Sequence, residues 1–447
     1  MITARDWAGK RYAVLGLARS GAAVVRSLVA SGASVVAWDV DAGRREAVVG
    51  RVQELSVSVD HDVSLEIADP ELIDLTEFDA LVVSPGVPLN RHPVAAKARA
   101  AGVPIIGDIE LFSEARGDLP AHRVVGVTGT NGKSTTVSLI HHILETAGVP
   151  SRLGGNIGLP ILEQAPLPEG GVYVLELSSY QIDLTQTLDC EVAVLLNITP
   201  DHLDRYDGFE AYAASKARLF EMQAWDHDGI FGIDDPVTSM LGGATKGEID
   251  YRIGFSYTWY AAAADVSDNQ REWPALQGPH NAQNAAAAVL ACQKLGVSRE
   301  TIDAALQTFT GLPHRMERIA FTNGVAFVND SKATNPESVA PALAAFERVH
   351  WILGGQAKSD DLSACAPSFG HVVRVYAIGD AGERFAAVLG GKVPVEVSGT
   401  LDVAVAAAAA NAVPGDTVLL SPACASFDQF RDFEDRGDQF RALVEAL

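Results

Sequence analysis

Short apolar runs alternate with amphipathic helical stretches along most of this chain. In the first part, the runs at 12–15 and 34–38 flank a helical stretch that ends at Gly32. In the middle part, apolar runs at 172–176 and 192–198 follow the same pattern. Apolar runs that are bounded by turn residues and separated by helices are typical of buried parallel strands. The pattern therefore predicts an α/β fold with doubly wound sheets.

The last third of the chain repeats this alternation with different loops. Its apolar runs lie at 325–328, 349–353, 373–378 and 417–420, and each is followed by a polar loop. Strands whose carboxyl ends carry polar loops indicate a ligand-facing sheet edge. We expect three domains, with limits at residues 1–112, 113–312 and 313–447.

Length and composition agree with several soluble domains. The chain has 447 residues, 48% of them hydrophobic, and a formal net charge of −23. A strongly acidic chain argues against binding to nucleic acid or to an anionic membrane, although local cationic loops can still bind anionic substrates. The four cysteines form no CxxC pair, and we find neither a signal layout nor an apolar run long enough to span a bilayer. We predict a cytoplasmic protein without membrane insertion.

The apolar run at 124–128 leads into a glycine-rich turn that is followed by Lys133, Ser134 and Thr135. A strand, such a turn and a helix form the layout of a phosphate-binding loop, whose backbone N–H groups face a polyphosphate at the positive end of the helix. We predict that Lys133 contacts the β- and γ-phosphates and that Ser134 or Thr135 ligates Mg²⁺. Val127 stands where the strict motif has its first glycine, so the loop is a variant.

The turn at 16–21 has the layout of a dinucleotide fold, but Ala18 replaces the second glycine of the fingerprint. That glycine permits the closest backbone approach to a pyrophosphate in NAD proteins. The turn is therefore weak support for NAD, and two interpretations stay open: a structural turn, or a less intimate diphosphate site. Asp39 follows the next strand, where it can accept hydrogen bonds from a ribose or a base.

Acidic residues follow two successive strands in the middle part. Glu176 ends one run, and Asp201 with His202 follows the next. Because carboxyl ends of parallel strands share one sheet edge, these groups are candidates for holding Mg²⁺ beside the phosphate loop. Lys216 lies on a predicted amphipathic helix, and by itself such a lysine is usually solvated.

Six ordered segments resemble the Mur ligases, three-domain ATP-dependent enzymes that form amide bonds in peptidoglycan synthesis. These segments are Thr-Gly-Thr-Asn-Gly-Lys-Ser-Thr at 128–135, Glu-Leu-Ser-Ser at 176–179, Asp-His-Leu-Asp-Arg at 201–205, Gly-Pro-His-Asn at 278–281 with Asn284, Pro-His-Arg at 313–315, and Asp-Ser-Lys-Ala-Thr-Asn at 330–335. The segments at 16–21, 83–86 and 420–430 resemble the members that add D-glutamate to UDP-N-acetylmuramoyl-L-alanine. The Asp-Asn-Pro-Arg signature of the diaminopimelate-adding members is absent.

The resemblance implies a fold and an activity. The fold would be an N-terminal Rossmann-like domain for the UDP substrate, a central P-loop ATPase-type domain and a C-terminal Rossmann-like domain for the amino acid. ATP would convert the alanyl carboxylate to an acyl phosphate, which the amine of D-glutamate attacks. The resemblance also implies two Mg²⁺ ions, a carbamylated Lys216 and a monomer.

The resemblance further implies roles for individual residues. The ATP site would comprise Gly129, Thr130, Asn131, Gly132, Lys133, Ser134, Thr135, Asn284, Arg315 and Asp330. The UDP-substrate site would comprise Leu17, Ala18, Asp39, Val40, Ser84, Gly86 and Asn156. The D-glutamate site would comprise Thr334, Lys358, Ser426, Phe427 and Phe433. The metal ligands would be Ser134, Glu176, His202 and Lys216, and catalysis would rest on Lys133, His202, Lys216 and His314.

His314 is a candidate to help deprotonate the incoming ammonium, and a structural role is an equal alternative. Three rival functions predict other properties. A folylpolyglutamate synthase would share the phosphate loop but not the N-terminal UDP-type domain. A switch or transport ATPase would form no covalent product. An NAD dehydrogenase would bind NAD(H), and Ala18 and the ATP loop argue against it.

Overall fold

The computed structural model describes residues 1–57, 63–201, 205–243, 257–357 and 359–447. The chain divides into two compact units, residues 1–265 with 283–305, and residues 266–282 with 306–447. The first unit contains two sheets and the second contains one. This agrees with the predicted α/β class.

The first sheet has five parallel strands in the order β3-β2-β1-β4-β5. The strands are β1 Arg11–Leu15, β2 Ser34–Trp38, β3 Ser64–Ile67, β4 Ala80–Val83 and β5 Ile105–Ile106. The helices are α1 Arg19–Ala30, α2 Ala42–Ser56, α3 Pro93–Ala101 and α4 Asp108–Ala115. The strand order reverses between β1 and β4, and ligands of open α/β sheets bind at such a switch point. The domain limit predicted after residue 112 falls inside α4.

The second sheet has six parallel strands in the order β11-β10-β9-β6-β8-β7. The strands are β6 His122–Thr128, β7 Ser151–Gly155, β8 Gly171–Glu176, β9 Val192–Leu195, β10 Asp228–Gly232 and β11 Tyr257–Ala261. The helices are α5 Lys133–Thr146, α6 Ser179–Asp183, α7 Phe209–Glu221, α8 Pro236–Leu241, α9 Pro279–Lys294 and α10 Arg299–Thr308. Every residue of β8 and β9 is buried, which explains their continuous apolar runs.

The third sheet has six strands in the order β12-β13-β17-β14-β15-β16, and only its β12–β13 pair is antiparallel. The strands are β12 Glu317–Thr322, β13 Val325–Asn329, β14 Val349–Gly354, β15 Val372–Ile378, β16 Val395–Gly399 and β17 Thr417–Leu420. The helices are α11 Pro336–Ala344, α12 Gly382–Leu389, α13 Leu401–Asn411 and α14 Phe433–Glu445. Asn323 and Gly324 join β12 to β13 with φ of 53° and 78°. Two central residues with positive φ define the tight hairpin turn that Asn-Gly favours.

The four cysteines are buried and unpaired. Burial raises the pKa of the Cys365 and Cys424 thiols to about 12. Within the described ranges, no helix is long and apolar enough to cross a membrane.

Candidate active site

The phosphate loop lies between β6 and α5, at the carboxyl edge of the second sheet. Gly129 and Gly132 have φ of 147° and 86°, which L-residues with a side chain rarely adopt. A Cβ on Gly132 would also stand 2.1 Å from Oδ1 of Asn284. Lys133 begins α5, and its Nζ donates to the carbonyl oxygens of Gly129 at 2.9 Å and Thr130 at 2.7 Å. The loop is thus closed around its own lysine, with Asn284 against it.

Asn197, a residue that our sequence analysis did not single out, holds this loop to the end of β9. Its Oδ1 accepts from the N–H of Asn131 at 2.9 Å, and its Nδ2 donates to the carbonyl of Asn131 at 3.1 Å. Its own carbonyl accepts from the N–H of Thr130 at 2.8 Å. The available signal is its position as the first polar residue within the run at 192–198.

Glu176 ends β8, opposite Val127 of β6. Its side chain is buried, and Oε1 accepts from Nδ2 of Asn156 at 3.0 Å. Oε2 has no hydrogen-bond partner among the described residues. A buried carboxylate oxygen without a donor is costly unless a ligand satisfies it, and carboxylate oxygens are what Mg²⁺ prefers.

The protein supplies few further metal ligands in the part that the structure describes. No group of three or more His, Cys, Asp or Glu side chains there is arranged to hold a metal ion. Mg²⁺ is commonly held by one or two carboxylates together with substrate phosphates and water. Glu176, beside the phosphate loop and the buried Ser134, fits that kind of site. His202 lies outside the described residues.

Lys216 lies on α7 and is only 2% exposed, so it is not the solvated lysine that its sequence context alone predicts. Its Nζ donates to the carbonyl of Gly129 at 2.9 Å and lies 4.7 Å from the centre of the Tyr212 ring. Burial, and then the charge of Lys133, lower the pKa of Lys216 to about 7, although Asp201 and Asp183 oppose this shift. The amine is therefore neutral in a large fraction of molecules near neutral pH.

Three loops of the first sheet meet at its switch point. The N–H of Leu17 donates to Oδ2 of Asp39 at 2.7 Å, and the hydroxyl of Ser84 donates to the carbonyl of Gly16 at 2.8 Å. Ala18 is the N-cap of α1, so the positive end of this helix faces the switch point.

Asp39 is already engaged by protein donors. Besides Leu17, the N–H of Asp41 donates to Oδ1 at 2.9 Å, and Nη1 of Arg44 lies 3.3 Å from Oδ2. Burial alone would raise the pKa of Asp39, but these hydrogen bonds outweigh burial and lower it. A carboxylate accepts about four hydrogen bonds, which leaves room for one ligand donor. Val40 is 91% exposed and Gly86 is exposed.

In the second unit, the loops after β13 and β17 lie together. The hydroxyl of Ser421 donates to Oδ2 of Asp330 at 2.7 Å, and the N–H of Met316 donates to Oδ1 at 3.2 Å. Burial raises the pKa of Asp330 to about 7 in spite of these donors. Ser426 is buried, whereas Phe427 is 68% exposed.

The remaining predicted residues of this unit have different surroundings. Thr334, Arg315 and Phe433 are half-buried, and Lys358 lies outside the described residues. The exposed side chain of Phe427 does not by itself form the wall of a pocket.

Arg436 is a second residue that our sequence analysis missed. It is fully buried on α14, and its Nε and Nη2 donate to Oγ and to the carbonyl of Ser331 at 2.9 Å and 2.8 Å. Nη2 also donates to the carbonyl of Cys424 at 3.1 Å. Burial lowers the pKa of Arg436 to about 10. This side chain ties the two loops together, which its place on an amphipathic helix does not reveal.

His314 has the surroundings of a structural histidine. Its ring is buried, Nδ1 lies 3.0 Å from Nδ2 of Asn329, and a Cβ on Gly437 would clash with the ring at 2.1 Å. Its Nε2 lies 3.7 Å from a carboxylate oxygen of Asp438. The positive φ of 60° adds strain that these contacts offset.

Three family models match the chain. The Mur ligase MurD-like N-terminal domain matches residues 10–107, the Mur ligase middle domain matches residues 127–292, and the Mur ligase glutamate ligase domain matches residues 314–424.

Curated relatives and solved structures agree with these matches. UDP-N-acetylmuramoylalanine–D-glutamate ligases from Novosphingobium aromaticivorans and Zymomonas mobilis are 61% and 51% identical, and they match all of this chain and 97% and 100% of their own lengths. Two solved structures share the fold at 16% and 17% identity. UDP-N-acetylmuramate–alanine ligase of Thermotoga maritima has a TM-score of 0.55 with coverage of 98% of this chain and 99% of its own. A D-alanyl-D-alanyl-adding ligase of Acinetobacter baumannii has a TM-score of 0.58 with coverage of 97% and 93%. The chain belongs to the Mur ligase family.

Proposed function

We infer that this chain is an ATP-dependent ligase that joins D-glutamate to UDP-N-acetylmuramoyl-L-alanine. The observation that carries this inference is the full-length identity of 61% to a ligase named for that reaction. The phosphate loop beside the buried Glu176 and Lys216 gives the inference a physical basis. The products are the UDP-linked dipeptide, ADP and phosphate.

The reaction needs ATP because a carboxylate is a poor acylating agent. An oxygen of the alanyl carboxylate attacks the γ-phosphorus, and ADP leaves. The neutral amine of D-glutamate then attacks the carbonyl carbon, the C–O bond to phosphate breaks, and the amine loses a proton. Bringing two anions together requires positive charge and alignment around the γ-phosphoryl group, and Lys133 lies in the loop that supplies both.

We propose two Mg²⁺ sites. Ser134 and Glu176 would hold the first ion, and His202 with Lys216 would hold the second. Bound Mg²⁺ neutralises phosphate charge during in-line transfer. The unpartnered Oε2 of Glu176 supports the first assignment, while Asn156 orients this carboxylate through its 3.0 Å hydrogen bond.

Lys216 as a carbamate is consistent with its surroundings. A neutral amine attacks CO₂ at carbon, and the product loses a proton to become a carbamate with a charge of −1. The lowered pKa makes the neutral amine available, whereas the ammonium form would repel both Lys133 and Mg²⁺. The modification thus replaces a cation with an oxygen ligand of the type that Mg²⁺ binds.

The flanking regions would bind what is joined. Leu17, Ala18, Asp39, Val40, Ser84 and Gly86 would take the UDP moiety at the switch point of the first sheet. Thr334, Lys358, Ser426, Phe427 and Phe433 would take D-glutamate. Asn284, Arg315 and Asp330 would contact the nucleotide. We retain the domain limits of 1–112, 113–312 and 313–447 and a monomeric state as parts of this proposal, and we assign His314 a structural role.

A phosphate-release assay tests the proposed function. With ATP, Mg²⁺ and UDP-N-acetylmuramoyl-L-alanine present, we expect phosphate to be released when D-glutamate is added. We expect no phosphate above background with L-glutamate, L-alanine or diaminopimelate. Release with no amino acid present would indicate an ATPase instead. Release with diaminopimelate but not with D-glutamate would assign the chain to another reaction.

A further inference from the structure

The first unit contains a cavity of about 810 Å³ that none of the proposed site residues lines. It lies along the edge strand β5, and its walls come from Pro85, Val87 and residues 89–91, from α3, from α6 and from residues 205–207 and 211. The switch point lies between β1 and β4, so the cavity is on the other side of β4. Ligand pockets for small molecules typically have volumes of about 300–1,000 Å³.

One wall of the cavity is a stack of planar groups. The guanidinium carbon of Arg205 lies 4.4 Å from the centre of the Tyr180 ring. Tyr180 and Tyr206 are stacked with ring centroids 6.0 Å apart at 11°. Nη2 of Arg205 also donates to the carbonyl of Val87 at 3.1 Å, which fixes the stack against the loop after β4. The apolar side chains of Ile105 and Leu184 line the cavity as well.

The charge around the cavity contrasts with the rest of the chain. Arg91, Arg99 and Arg205 line it, although the chain as a whole has a formal net charge of −23. Arg99 makes no ion pair within the described ranges, and its charge is therefore available. Two acids also line the cavity, Asp183 and Asp207, and Asp183 is satisfied by its own donors.

Those donors connect the cavity wall to the phosphate loop. The hydroxyls of Tyr206 and Ser215 donate to the two oxygens of Asp183 at 2.8 Å and 2.7 Å. Ser215 precedes Lys216 on α7. The ring of Tyr206 packs on that of Tyr212 at 5.4 Å, and the Tyr212 hydroxyl is 3.2 Å from Oγ1 of Thr130 in the phosphate loop.

We propose that this cavity is a second ligand site for an organic anion with a planar ring, and that its occupancy changes turnover through α7. The planar stack and apolar walls would take the ring. Arg99 and Arg91 would take the phosphate, sulfonate or carboxylate group. A ligand in contact with Tyr206 displaces or stiffens a side chain that helps to hold α7, which carries Lys216.

The probe for this site is 8-anilinonaphthalene-1-sulfonate, whose fluorescence rises in an apolar site. We expect binding of one molecule per chain, unchanged by saturating UDP-N-acetylmuramoyl-L-alanine or a non-hydrolysable ATP analogue. The neutral N-phenyl-1-naphthylamine should bind at least about tenfold more weakly, because it lacks the charge that the arginines would pair with. The sulfonate should lower kcat for phosphate release without competing with ATP.

Two pairs of variants locate the site. Ala211→Phe places an aromatic ring inside the cavity and should raise the dissociation constant of the probe at least about tenfold, whereas Ala214→Phe, exposed on the same helix, should not change it. Arg99→Ala should raise the dissociation constant about fivefold, and Arg51→Ala, exposed on α2, should leave it unchanged. None of these residues belongs to the proposed reaction centre, and phosphate release without the probe reports that each variant is folded.

Equal binding by Ala211→Phe and Ala214→Phe would overturn the proposal. So would displacement of the probe by the ATP analogue or the UDP substrate, since the probe would then lie in one of the sites already proposed. If Ala211→Phe does not fold, unchanged binding by Arg99→Ala, together with equal binding of the neutral probe, would overturn it.

Discussion

The proposed carbamate on Lys216 depends on one property of the folded chain, the lowered pKa of this amine. We predict that isolated protein incubated with ¹³C-bicarbonate acquires one carbamate, that its formation rises with pH around a midpoint near 7, and that Lys216→Ala removes it. The same substitution should abolish ligase activity, and short added carboxylates should restore part of it.

The size of the effect follows from the pKa. At pH 7.5 an amine with a pKa of about 7 is neutral in about three molecules out of four, whereas with the ordinary lysine pKa of 10.5 about one in a thousand is neutral. Because only the neutral amine reacts with CO₂, burial raises the reactive fraction by nearly three orders of magnitude. Lys133 contributes to this shift, so Lys133→Met should raise the Lys216 pKa and move the midpoint to higher pH.

Carbon-13 NMR measures the carbamate directly, separate from activity. Lys294→Ala is the matched control, since this lysine lies on α9 with its Nζ over the ring of Trp259 and has no proposed role. The control should keep the carbamate signal and its midpoint. A signal that persists in Lys216→Ala, or a midpoint near 10, would refute the reasoning.

Four further substitutions test other parts of the account. Glu176→Gln should lower kcat at least about 100-fold, which kinetics across Mg²⁺ concentrations measure. Its melting temperature without Mg²⁺ should be unchanged or higher, because the substitution removes a buried charge, and a thermal melt measures this. Asn197→Ala should raise the KM for ATP about tenfold with little change in the KM for D-glutamate, since it frees the loop at Asn131. Gly132→Ala should abolish ATP binding in calorimetry and destabilise the fold by about 1–3 kcal/mol, because φ is 86° and the Cβ meets Asn284. Asp330 has a raised pKa, so its ionisation costs stability as pH rises from about 4 to 7; Asp330→Asn should therefore melt higher than the parent at pH 8 and not at pH 4.

The sequence predicts the residues whose chemistry is local. Lys133 is identified by the turn that precedes it, and Glu176 by its place at the end of an apolar run. Lys133 follows β6 and Glu176 ends β8, as predicted. Because these two strands are parallel, their carboxyl ends lie at the same edge of the second sheet. The antiparallel β12–β13 hairpin was missed, although Asn323-Gly324 is a strong local signal for such a turn.

The missed site residues depend on contacts between distant parts of the chain. Arg436 is buried because Ser331 and Cys424 offer it acceptors, and no periodicity on α14 encodes that. Asn197 bonds to Asn131 across 66 positions. The edge strands β3 and β16 contain only exposed and half-buried residues, so they lack the continuous apolar runs that identify the inner strands.

The central claim is the covalent product, and mass spectrometry of the reaction mixture tests it most directly. With ATP, Mg²⁺, UDP-N-acetylmuramoyl-L-alanine and D-glutamate, we predict a UDP-linked species heavier by one glutamate residue, formed in equal amount with ADP. Formation of ADP without that species, or the same species formed without ATP, would contradict the account.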